Sequence, residues 1–72
     1  MGGIPEHKDG PKQMRVIAAG GLNVRNKPDH SGTIISSLQP GQTVDVYEED
    51  DGWARIHPTN EMWANLGYLK AV

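Results

Sequence analysis

The chain has 72 residues, no cysteine, no phenylalanine and a formal net charge of −2 at pH 7. That length supports a single domain that buries roughly 60% of its unfolded surface, so a small core must hold it without a disulfide staple or a thiolate metal site. The slight acidity gives no electrostatic ground for binding nucleic acid or an anionic membrane. The histidines His7, His30 and His57 are too scattered to suggest a metal cage, and no cofactor is expected.

Residues 1–13, MGGIPEHKDGPKQ, are rich in glycine, proline and charge and read as a flexible arm ahead of a domain spanning residues 14–72. The stretch has neither the apolar core of a signal peptide nor a transmembrane span, and Glu6 stands where a myristoylation motif wants Ser or Thr. A cytoplasmic location is therefore expected unless the chain is part of a longer exported protein. From Met14, MRVIAA is a short β-prone run ended by Gly20-Gly21. LNVR alternates, with Leu22 and Val24 on one face and Asn23 and Arg25 on the other. NKPDHSG is a loop whose turn formers are Pro28, Asp29 and Gly32.

TIISSL is the next strand, closed by QPGQ, where Pro40-Gly41 suits a type II turn. TVDVYEED alternates again, with Val44 and Val46 inward and Asp45 and Tyr47 outward. Asp51-Gly52 signals a hairpin. WARIH puts Ala54 and Ile56 on one face and Trp53, Arg55 and His57 on the other, so Val44, Val46, Ala54 and Ile56 are expected to face inward across that hairpin. PTNE turns the chain, and MWANLGYLKAV supplies a last strand with a single 3₁₀ turn near Gly67. No segment sustains helical periodicity, and strand-length runs recur about every 8 to 12 residues, the signature of a small barrel or sandwich. An all-β barrel of five to six short strands is the economical answer, because closure removes exposed edges.

The candidates for function are the aromatic and outward-facing polar residues. Arg25 can grip a carboxylate through two parallel bonds or pair with Asp29 or Asp45. Asn23 can bond the loop backbone or a ligand. The run Glu48-Glu49-Asp50-Asp51 beside Trp53 is either a solvated hairpin or a selector for a basic partner. No carboxylate pair has acid–base spacing, and Ser31, Ser36 and Ser37 lack a nucleophile elbow, so the chain is not expected to be an enzyme.

Five ordered pieces carry a family resemblance: LNVRNKPDHSGTIISSL, the Gly41 turn, the VDV strand, the acidic run closing on Gly52-Trp53, and WANLGYL. Together, over about Arg15 to Lys70, they resemble the bacterial SH3-like domains. Lys27 and Ser36 stand where that family often has glycine, and Met62 replaces the glycine usual before the last tryptophan. A non-glycine residue forced to positive φ at Lys27 would be strained. The resemblance implies an SH3-like barrel with Trp53 and Tyr68 lining one groove beside the proline loop, their flat faces holding an extended peptide. The ligand-binding candidates are then Trp53, Tyr68, Arg25, Asn23 and Tyr47, with Trp63 packed. The plainer alternative has Trp53 simply covering the barrel end. On the groove reading, Trp53→Ala weakens binding and spares the fold.

The function implied is noncatalytic binding of peptidoglycan peptide for cell-wall targeting, by a monomer. The alternative is a protein–protein or assembly module, intracellular or phage-encoded, that docks an extended or basic segment.

Overall fold

Short runs of alternating residues, broken by turns that only certain residues can form, build an all-β domain. The computed structural model describes residues 10–72. Its strands are β1 (Lys12–Val16), β2 (Leu22–Arg25), β3 (Ile34–Leu38), β4 (Thr43–Val46), β5 (Glu48–Asp50), β6 (Trp53–Arg55), β7 (Trp63–Asn65) and β8 (Leu69–Ala71). A 3₁₀ turn, Leu66–Tyr68, joins β7 to β8. The strands form two antiparallel sheets, one ordered β4-β1-β8 and the other β3-β2-β7-β6-β5.

Among the described residues there are eight strands instead of five or six because two expected runs are interrupted. The run from Thr43 breaks at Tyr47, whose N–H donates to the Arg55 carbonyl at 2.8 Å as the chain passes from one sheet to the other. This changes the expected pairing. The hairpin partner of β6 is β5, with Glu48 opposite Arg55 and Asp50 opposite Trp53, while Val44 pairs with Met14 and Lys12 with Val46. Val46 and Ala54 are nonetheless fully buried, and Val44 and Ile56 pack against the same core from half-buried positions. The last run is interrupted by the 3₁₀ turn, which Asn65 caps by accepting from the Gly67 N–H.

Both predicted tight turns form. Gly41 has φ +82°, and the Gln42 N–H closes on the Gln39 carbonyl, as a type II turn with Pro40 at its first corner requires. Asp51 and Gly52 have φ +47° and +88°, the two positive angles of a type I′ hairpin. Lys27 does not share this conformation: among the described residues Asp51 is the one non-glycine with positive φ, so the proline loop carries no strain there.

The core lies between the sheets and is made by Met14, Val16, Leu22, Val24, Leu38, Val46, Ala54, Ala64 and Leu69. Alternation places them: in β1 and β2 every second residue is buried. Burying each valine or leucine contributes about 1.5–3 kcal/mol. Met62 packs against this core in place of the expected glycine.

Alternation fails to give exposure in β6, where Trp53, Ala54 and Arg55 are all buried. Arg55, expected on the solvent side, sits only 5% exposed because residues 57–61 fold over the outer face of the larger sheet. Its Nη1 donates to the His57 and Pro58 carbonyls (2.5 and 2.7 Å), and its Nε donates to Glu48 Oε1 at 3.0 Å. The imidazole of His57 tightens the same loop, its Nδ1 accepting from the N–H groups of Thr59 and Asn60. Trp63, opposite both Arg55 and Arg25 in register, is also covered and donates its indole N–H to Glu61 Oε1 at 2.8 Å.

The arm expected over residues 1–13 lies outside the described residues as far as residue 9. Lys12 and Gln13, assigned to it from sequence, belong to β1, opposite Val46 and Asp45. Among the described residues, no helix is long and apolar enough to cross a membrane.

Candidate functional site: an aromatic and amide groove

Beside the proline loop lies an open groove of about 410 Å³, a size that suits a small ligand or a few residues of an extended peptide. The turn Ala18 to Gly21 forms one wall, and Asn23 and Arg25 project into the groove from the outer face of β2. Trp53 of β6, Asn65 of β7, Tyr68 of the 3₁₀ turn and His30 of the loop line it as well. The residues come together because Trp53 stands opposite Asn65 and Arg25 opposite Trp63, which puts one face of three neighbouring strands under the loop.

Gly21 shapes the first wall. Its φ is +89°, and a Cβ there would sit 2.8 Å from the Leu38 carbonyl oxygen, so a larger residue would displace the backbone. Arg25 shapes the second. Its Nη1 donates to the carbonyls of His30 (3.1 Å) and Gly32 (3.0 Å), tying the loop to β2; neither Asp29 nor Asp45 is its partner.

The loop also has its own closures. Asn26 exchanges bonds with Thr33, its N–H donating to the Thr33 carbonyl and its Oδ1 accepting from the Thr33 N–H. Asp29 Oδ1 accepts from the hydroxyl and the N–H of Ser31. The Ser31 hydroxyl, followed by its N–H, holds the Asp29 carboxyl below its ordinary value of 3.8. The ring of His30, carried on this loop, meets the Trp53 indole edge-on with centroids 5.0 Å apart at 75°.

Four of the five candidate residues read from sequence, Trp53, Tyr68, Arg25 and Asn23, line this groove; Tyr47 does not. Their exposures differ in a way that matters. Tyr68 is 51% exposed, whereas Trp53 is 7% exposed and offers the groove little open surface. Replacing Trp53 therefore removes packing as well as groove wall, so Trp53→Ala is not a clean test of binding.

Asn23 is exposed, and its amide makes no hydrogen bond among the described residues, contrary to the expected bond to the loop backbone. The Trp53 indole N–H likewise has no acceptor there. His30 and Asn65 complete the groove and were missed. The alternation that placed Trp53 also places Asn65, one strand over, on the same face. No group of His, Asp or Glu side chains able to hold a metal occurs among the described residues.

The family profile of the bacterial SH3 domain matches residues 20–70, well over half the chain. The chain belongs to the bacterial SH3 domain family. Domains of this family are generally noncatalytic binding modules. The match begins just after β1, at Gly20-Gly21 on the groove wall, and ends within β8. No curated protein and no solved structure gives a significant match to the chain.

Proposed function

We propose that this bacterial SH3 domain is a binding module that holds a short extended peptide in the Tyr68–Trp53 groove, and that the peptide is the stem of peptidoglycan, which would target the chain or a protein carrying it to the cell wall. One observation carries the reading: a half-exposed tyrosine ring and two donors without partners, the Asn23 amide and the Trp53 indole N–H, belong to residues lining the same groove. An aromatic surface for side-chain carbon with donors for backbone carbonyls is what an extended peptide needs.

The rival reading, a basic partner selected by the acidic hairpin, draws less support. Glu48 is already paired with Arg55, which leaves that hairpin less charge to offer. The test is cosedimentation with purified sacculi, comparing the parent with Tyr68→Ala. The parent should sediment with the sacculi and the variant should stay in solution, since truncating an aromatic hot spot commonly costs about 2 kcal/mol or more of binding. Equal sedimentation of the two proteins would mean that the groove does not bind the wall.

A further inference from the structure

A second concave site lies on the outer face of the three-stranded sheet. It is a cleft of about 300 Å³ lined by Arg15, Ile17, Lys70, Ala71 and Val72. Arg15 and Lys70 are direct register partners on β1 and β8, so two cations stand side by side on one face, an arrangement that destabilises a sheet unless something neutralises it. Neither side chain has a hydrogen bond or ion pair among the described residues. Asp45 of β4 projects from the same face, opposite Gln13 and two residues along from the Thr43 that pairs with Arg15, yet it forms no ion pair with either cation. Ile17 and Val72, 54% and 62% exposed, give the cleft its apolar surface.

The backbone beside the cleft is also available. β8 is an edge strand. The Ile17 N–H donates to the Tyr68 carbonyl and the Val72 N–H to the Gln13 carbonyl, so the ladder turns the even-numbered residues of this strand toward β1. By the same alternation, Ala71 directs its N–H and C=O toward the free edge.

We propose that this cleft docks an extended acidic segment of a partner protein, added alongside β8 with a carboxylate between Arg15 and Lys70 and a neighbouring apolar side chain on Ile17 and Val72. Charge complementarity picks the occupant. Two cations with apolar flanks match one carboxylate beside an apolar side chain. A polyphosphate chain or an anionic membrane would want a longer basic stripe and would meet Asp45 and a chain of net charge −2. Backbone pairing at the edge supplies affinity, and the cation pair supplies the preference for acid.

The test is an amide NMR titration of the whole chain with the blocked peptide acetyl-Ala-Val-Glu-Val-Ala-amide and with its glutamine counterpart. The acidic peptide should produce saturable shifts at Arg15, Ile17, Lys70, Ala71 and Val72. The glutamine peptide, or the double variant Arg15→Gln and Lys70→Gln, should bind about fivefold more weakly, the upper end for a solvent-exposed ion pair. With Lys70→Glu and Arg15→Glu together, a lysine-bearing version of the peptide should regain the lost binding.

The proposal is overturned by equal shifts with the acidic and glutamine peptides, by shifts confined to the Tyr68 groove, or by no shifts at millimolar peptide. It is also overturned if phosphatidylglycerol vesicles or a single-stranded oligonucleotide perturb these residues while the peptide does not.

Discussion

The His30 ring stands edge-on to the Trp53 indole with centroids 5.0 Å apart, and this contact joins the proline loop to the sheet beneath it. Both residues line the groove that Tyr68 also lines. Two further ties, from Arg25 to the carbonyls of His30 and Gly32, hold the loop in the same place. The groove is therefore a preformed feature of a pinned loop, which lowers the ordering cost of binding.

His30→Ala should release that contact. An edge-to-face aromatic contact contributes about 0.5–1.5 kcal/mol, so the melting temperature should fall only modestly. The Trp53 indole N–H resonance should move substantially, because it loses a neighbouring ring current. An unmoved resonance would mean the two rings do not meet in solution.

Arg55 supports the sheet from its outer side. Arg55→Ala should destabilise the domain by about 3 kcal/mol or more, the range for removing a buried charged group with several hydrogen bonds. Arg55→Lys should also destabilise it, since an ammonium cannot reproduce the planar fork that reaches Glu48 and the loop carbonyls together. Denaturant unfolding of both variants measures this; a lysine variant as stable as the parent would show that charge alone matters there.

Gly21→Ala should be costly despite its size. Positive φ and a Cβ 2.8 Å from the Leu38 carbonyl oxygen act together, and alanine at an incompatible φ destabilises by about 1 kcal/mol or more. The same thermal melt applied to Gly20→Ala is the control, since a Cβ at Gly20 meets nothing within 4 Å.

Asp29 gives the loop a dependence on pH in the acid range. Its folded carboxyl titrates below 3.8 because Ser31 favours the charged form. Its contribution to stability is thus present above the unfolded value and lost as pH falls through the folded one. Ser31→Ala should raise the Asp29 midpoint toward 3.8 in a carboxyl carbon NMR titration. A midpoint that stays put would assign the depression to another group.

The strands and turns were legible because they depend on local rules. Leu22 and Val24 alternate with Asn23 and Arg25, and Pro40-Gly41 and Asp51-Gly52 admit few other conformations. What the sequence concealed depends on long-range coverage. Arg55 reads as a solvent-facing residue until residues 57–61 fold over it, and only that fold makes it a buried anchor. The break at Tyr47 was hidden for a similar reason: an unbroken alternating run looks the same whether one strand stays in a sheet or passes between two. Trp53 was found as a groove residue, but its burial was not, because neighbours brought from His30 and Asn65 decide how much of the indole remains open.

The most direct test of groove binding is an amide and indole NMR titration of the chain with a soluble peptidoglycan stem peptide. Saturable shifts should cluster at Gly20, Gly21, Asn23, Tyr68 and the Trp53 indole N–H. Tyr68→Ala should abolish them while its unfolding curve matches that of the parent. Shifts elsewhere on the barrel, or full binding by the Tyr68→Ala protein, would contradict it.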